Sequence, residues 1–238
     1  VTALVAISTA TSSGAVAVGR DDGVRATATL RMPHSHAEFV AAALRTCADA
    51  AAVGMPDVDA VAVDVGPGMF TGVRVGIATA KGVATALGVP MLPLSSLELL
   101  AYALRWHVGT VAAVLDARRS EVFVRTFRCD GAGDPVPVDD ARAVAPERFV
   151  VELAESGGDA GDVLCVGTGT EVYASLFDAA GLRRADAAYA HPGADAALDL
   201  AFTRFAADAE VPPFDVVPVY LRRSDAELVA DARAGEPS

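Results

Sequence analysis

No uninterrupted apolar run approaches the roughly 18 residues that a membrane-spanning helix needs, although 53% of the 238 residues are hydrophobic. The opening stretch "VTALVAISTATSSGAVAVG" is apolar but lacks a basic leader region and is broken by Thr, Ser and Gly, so it reads as strand and turn, not as a signal peptide. A cytoplasmic protein with no membrane partner is expected. Cysteine is scarce: Cys47, Cys129 and Cys165 are odd in number, far apart and set in apolar surroundings. Without a CxxC pair or a histidine cluster they predict buried reduced thiols, and exclude a disulfide framework or a zinc site. Basic residues are also few, leaving a formal net charge of −12. Their only clusters, Arg118-Arg119, Arg183-Arg184 and Arg222-Arg223, are diluted by acids. Nucleic-acid affinity comes largely from phosphate neutralisation, so stand-alone binding of RNA or DNA is not expected.

What is present is an alternation of strand and helix patterns. Apolar runs at 4–7 and 15–18 flank a polar turn, the pattern of a β-hairpin, and a third strand is predicted over 24–30. A helix capped by Ser35 follows, with Phe39, Val40, Ala43, Leu44 and Cys47 at helical spacing. Next come a strand over 60–65, a Gly/Pro turn, a long helix over 72–87, a short strand at 91–92 and a capped helix in "SSLELLAYALRW". The pattern then restarts: "TVAAVLDARRSEVFVRTFRCDG" is again strand, polar turn and strand. Two related α/β lobes are predicted, 1–106 and 107–238, each a mixed sheet with flanking helices. In the second, a loop at 131–138, a helix from Pro146, a strand over 163–166, a helix through Tyr173 and Phe177 and another over 194–209 are expected. A last helix, about 224–233, is expected to pack back on the first lobe.

The stretch "VDVGPGMFTGVRVGIATAKGVATALG" places Gly76 and Gly82 inside the long helix, where each costs about 1 kcal/mol against alanine. Helical spacing gives two small ridges, Gly72-Gly76-Ala80-Ala84 and Ala78-Gly82-Ala86. Two such faces on one helix point to a sheet on one side and a partner on the other. Thr71 is the expected N-cap. The preceding turn is not a Walker A loop, because GxxxxGK[ST] is absent and Lys81 lies two turns further on. His34 and His36 stand two apart at a helix start, which fits capping and not an H-E-x-x-H metal site, while His107 and His191 are isolated. Asp116, beside Arg118 and Arg119, suits a turn-forming or ion-pairing role.

Several segments resemble one family in the right order: "LVAISTATSSGAVAVG", "HSHAEFV", "GPGMFTGVRVGIATAKGVA", "LDARRSEVF", "VGTGTEVY" and "PVYLRR". The third is long and specific. It resembles the TsaB (YeaZ) family of the acetate kinase, sugar kinase, Hsp70 and actin superfamily. The resemblance covers nearly the whole chain and implies a two-lobed, ribonuclease H-like fold. It also implies an accessory, non-catalytic role in N6-threonylcarbamoylation of adenosine 37 in tRNAs reading ANN codons. The implied partners are TsaD, the metal-bearing transferase, and the ATPase TsaE, with a homodimer when alone and tRNA met only through the complex. ATP is used by the complex, and no cofactor or metal is expected on this chain. The partner-binding residues implied are His34, His36, Phe39, Val40, Ala43, Phe70, Gly72, Val73, Gly76, Ala80 and Ala84.

The resemblance further places Ser8, Thr9, Thr11 and Asp116 beside a nucleotide-proximal turn, with no catalytic residue. Most family members carry an aspartate where this chain has Ser8. A hydroxyl cannot replace a carboxylate as metal ligand or base, which counts against the alternative, a small-molecule kinase or ATPase of the same superfamily. A peptidase is a weaker alternative, since neither a metal motif nor a Ser/His/Asp set is visible.

Overall fold

The computed structural model describes residues 1–31, 36–155 and 163–222. His34, Ser35 and the expected helix at 224–233 lie outside the described residues, as does the side chain of His36. In the first lobe, β1 (Ala3–Ser8), β2 (Ser13–Arg20) and β3 (Arg25–Arg31) form an antiparallel meander, and β4 (Ala60–Asp64) and β5 (Met91–Leu94) extend it in parallel, giving the order β3-β2-β1-β4-β5. The second lobe is built from β6 (Val108–Arg118), β7 (Glu121–Asp130), β8 (Val136–Pro137), β10 (Val163–Val166) and β11 (Arg183–Arg184). Its order β11-β10-β6-β7-β8 is the same arrangement, and β9 (Arg142–Val144) pairs with β7. The repeated hairpin seen in the sequence is therefore a repeated sheet. This is the two-lobed, mixed α/β fold expected.

Alternation along β1 explains the layers. Val5 and Ile7 face a cluster completed by α1 (His36–Ala50) and α2 (Phe70–Leu87). Leu4 and Ala6 face the opposite cluster, where α3 (Ser96–Ala103) and α7 (Ala194–Ala206) pack. That second face is floored by Ala15, Ala17, Ala60 and Ala62 and met by Ala194, Ala197 and Ala201. Small side chains on both surfaces let helix and sheet approach closely, which accounts for much of the alanine bias. In the second lobe the helix expected through Tyr173 and Phe177 is two short helices, α5 (Thr168–Val172) and α6 (Ala174–Ala179), divided at Tyr173, and α6 with α4 (Pro146–Glu155) brings Phe149, Leu153 and Phe177 onto Ala112 and Val114.

Helix α3 carries apolar side chains on two of its faces. Leu99 and Tyr102 join the first lobe's cluster, while Leu97, Leu100 and Ala101 join Val111, Ala113 and Leu115 of the second. One helix is thus shared by two cores.

Three further expectations are corrected. Helix α7 was expected to complete the second lobe, but it packs on β1, β2, β4 and β5. Leu198 and Leu200 are fully buried there, and Asp199 pairs with Arg25 at 2.8 Å and Arg105 at 3.3 Å. The chain after it stays with the first lobe: Val211 bridges Met91, and the Val219 amide donates to Val65. Thr71 is not the N-cap of α2. The cap position is Met69, whose amide donates to the Ala10 carbonyl at 2.7 Å, so the β1–β2 turn anchors this end of the helix. The segment at 131–138 is not all loop, because Val136 and Pro137 pair with β7.

Truncating Leu198 to alanine removes a fully buried side chain from a face with little freedom to collapse. The expected loss is about 3 kcal/mol of unfolding free energy, read from urea denaturation.

Candidate functional site

The lobes face one another across a cleft with two adjoining cavities. The smaller, about 230 Å³, lies between the β1–β2 turn (Thr11, Ser12) and Asp116, Thr168 and Glu171 of the second lobe, with His191 at its edge. The larger, about 510 Å³, runs from the start of α2 to the β6–β7 hairpin tip and the segment Val219, Tyr220, Leu221 and Arg222. The hairpin tip is tightly wound: Arg118, Arg119 and Ser120 all take positive φ, at 62°, 56° and 56°. Asp116 stabilises that turn, its Oδ1 accepting from the Arg118 amide at 2.9 Å, while its own amide donates to Thr168 Oγ1. The carboxylate also lies 3.5 Å from the Arg118 guanidinium, so its role as turn former and ion-pair partner is met.

Of the four residues placed beside a nucleotide, the structure brings Thr11 and Asp116 to one cavity. Ser8 and Thr9 are buried in the wall behind it. Thr9 donates to the Gly72 carbonyl at 2.7 Å, and Ser8 donates to Asp64 Oδ2 at 2.7 Å. Asp64 was not singled out from the sequence. It ends β4 with 0% exposure, and its Oδ1 accepts from Ser96 Oγ at 2.5 Å and the Gly66 amide at 2.9 Å. Burial pushes this carboxyl above the usual carboxylate range, and the three donors act in the opposite direction. An acid closing the otherwise apolar run "AVAVD" was the available signal.

The residues expected at a partner interface divide sharply. Val40 and Ala43 of α1 and Gly72, Val73, Gly76, Ala80 and Ala84 of α2 are buried against their own sheet, and Phe39 is half-buried beside them. A Cβ at Gly76 would stand 2.4 Å from Thr9 Oγ1, so this glycine serves close packing inside the lobe. The physical reason is that the sheet needs a small, apolar helix face as much as a partner does. The second ridge, Ala78, Gly82 and Ala86, is exposed, and a Cβ at Gly82 would meet nothing within 4 Å. Phe70, 43% exposed, stands at the head of this helix. The Arg74 guanidinium lies 3.6 Å from its ring centre, and Tyr220, 47% exposed, stacks on it at 5.4 Å while accepting from Arg74 Nε at 2.8 Å. Tyr220 is 146 residues away from Arg74, so no local pattern announces this cluster.

All three cysteines are free and buried, and burial pushes the Cys165 thiol up to about 12. Among the described residues no group of three or more His, Cys, Asp or Glu could hold a metal ion, and no helix is long and apolar enough to cross a membrane.

The chain matches the family model for TsaD, tRNA N6-adenosine threonylcarbamoyltransferase, over residues 31–229. It is 31% identical over 223 residues to the tRNA threonylcarbamoyladenosine biosynthesis protein TsaB of Escherichia coli K12, covering 93% of this chain and 95% of that one. The chain belongs to the TsaB (YeaZ) family. A TsaB from Haemophilus influenzae is 32% identical over 179 residues, covering 71% of this chain and 72% of its own. The YeaZ structure from Pseudomonas aeruginosa superimposes with a TM-score of 0.80 at 30% identity, covering 93% of this chain and all of that one. The cleft and the outward ridge of α2 are thus features of a TsaB-family chain.

Two outcomes test this geometry. A Cβ at Gly68 would stand 2.2 Å from the Ala10 carbonyl oxygen, so Gly68→Ala should destabilise the fold by about 3 kcal/mol or more, whereas Gly82→Ala should stabilise it by about 0.5–1 kcal/mol in the same urea titration. His191 Nδ1 lies 2.9 Å from Thr11 Oγ1, and burial, with Arg31 second, holds its imidazole below the usual value. A depressed folded pKa contributes stability above the unfolded value near ~6.5, and that stability is lost as pH falls through the lower folded value. Between about pH 7.5 and about pH 5 the urea midpoint of the native chain should therefore fall further than that of His191→Gln.

Proposed function

We propose that this chain is a non-catalytic accessory subunit for N6-threonylcarbamoylation of adenosine 37 in ANN-decoding tRNAs. It pairs with a TsaD-type transferase and enables recruitment of a TsaE-type ATPase, and ATP is consumed by the complex. The observation that carries the pairing is the exposed small ridge Ala78-Gly82-Ala86 of α2. A glycine with nothing to pack on inside its own lobe costs helix stability, and a second helix approaching at backbone distance offsets that cost. The neighbouring helix α1 exposes Ala41 and Ala42, which widens the face available to helix packing. Beside it stands the Phe70, Arg74 and Tyr220 cluster, the aromatic and arginine composition that dominates binding energy at interfaces. When no partner is present, the same surface accepts a second copy of this chain.

The cleft supports the non-catalytic part. The first lobe offers Ser8 where the family's usual aspartate would stand, the nearby Asp64 is buried behind the wall, and Asp116 is committed to its own hairpin. Among the described residues no carboxylate is left poised on the first-lobe wall of the cavity to hold a metal or take a proton. The net charge of −12 fits a chain that meets tRNA through its partner.

Modification reconstituted with TsaD, TsaE, the adenylate-forming enzyme, threonine, bicarbonate, ATP and an ANN-decoding tRNA tests this, with the modified nucleoside quantified by mass spectrometry. Omission of this chain should abolish product, and the chain alone should turn over no ATP. Gly82→Arg should weaken pairing with TsaD at least tenfold, about 1.4 kcal/mol or more, without lowering the urea midpoint. Product formed without the chain, or ATP turnover by it alone, would overturn the accessory reading and favour a phosphotransferase.

A further inference from the structure

We propose that Asp64 is the positioning residue of the α2 docking face: its buried carboxyl, held by Ser8, Ser96 and the Gly66 amide, sets the turn from which α2 springs and so places Phe70 and Arg74. The inference deepens the reading above and rests on it only for the last link, from turn to partner.

Three elements meet at this one carboxyl. Ser8 ends β1, Ser96 opens α3, and Gly66 belongs to the turn between β4 and α2. The bond from the Gly66 amide back to Asp64 closes an Asx-type turn, the local geometry that redirects a chain at the end of a strand. Ser96 holds the same turn from a second side, its amide donating to the Gly66 carbonyl at 3.0 Å. On the far side, Ala10 accepts from the Met69 amide and Thr9 Oγ1 donates to Gly72. Thr9 and Ala10 directly follow Ser8. The carboxyl therefore grips both the inside of the turn and the strand end whose next residues anchor the first helical turn. Phe70 and Arg74 occupy that first turn and the next, and their ring and guanidinium are stacked and exposed.

A carboxyl so enclosed is costly to desolvate, and an apolar residue would fill the space at lower cost. What an apolar residue cannot supply is acceptors for two hydroxyls and an amide arriving from three directions. The residue type is explained by geometry.

Hydrogen exchange on the full chain tests the local claim, and affinity for TsaD tests the link to docking. In Asp64→Ala, exchange of the Gly66 and Met69 amides should accelerate on the order of tenfold beyond any acceleration at Val111 and Val124, which report the second lobe. TsaD affinity should fall by a comparable factor. Asp64→Asn should restore both, because its carbonyl still accepts from Gly66 and Ser96 and its amide can donate to Ser8. Should Asp64→Ala not fold, Ser96→Ala, which removes one grip while leaving the others, should give the same local pattern at smaller amplitude. Acceleration spread evenly over both lobes, or a protected turn in these variants, would overturn the proposal. A native chain that fails to bind TsaD, with the local exchange pattern intact, would refute the docking reading and leave the role of Asp64 in the turn standing.

Discussion

The approach of two turns to each other constrains the rest of the first lobe. Gly68 lies against the Ala10 carbonyl so closely that a side chain has no room, and the Met69 amide uses the same carbonyl as acceptor. This contact joins the β1–β2 hairpin to the start of α2. One consequence is that α2 starts without a capping side chain, its end fixed instead by the bond from the cap residue's own amide, Met69, to Ala10. Another is that the helix lies low on the sheet, with Gly72, Gly76, Ala80 and Ala84 buried beside Val73 and Ile77 and no room for a side chain at Gly76. The cleft also follows, because the same two turns make its first-lobe wall.

Much of this was legible in the sequence where pattern and chemistry are local. The two hairpins, the helices carrying apolar residues at helical spacing and the two small ridges of α2 could be read from periodicity alone. Which ridge faces inward could not, because both are equally small and only the sheet's position separates them. The interface residues named from the resemblance fell mostly on the inward ridge for that reason. The side of α7 was equally hidden: its alanines suit any closely packed sheet, and only the matching alanines of β1, β2 and β4 decide for the first lobe. Asp64 and the Phe70, Arg74 and Tyr220 cluster depend on contacts between residues far apart in the chain. No window along the sequence contains both halves of either.

The shared helix α3 bears on what the cleft can do. In a nucleotide-driven two-lobed protein the lobes must rotate for closure to be useful, and interfaces that permit this are modest and polar. Here Leu99 and Tyr102 are embedded in one lobe and Leu97, Leu100 and Ala101 in the other, four of the five fully buried. Rotating one lobe against the other would draw one of these sets from its core. At about 25 cal/mol per Å² of apolar surface, exposing even two leucines costs several kcal/mol, comparable to the stability of a whole domain. The Glu98–Arg204 ion pair, running from α3 to α7, ties the same helix further to the first lobe. A chain held in this way presents α1, α2 and the cleft rim as one preformed surface, so a partner that binds it loses little to conformational ordering. Rigid presentation of this kind favours docking over closure, because closing the cleft would have to break the core that α3 shares between the lobes.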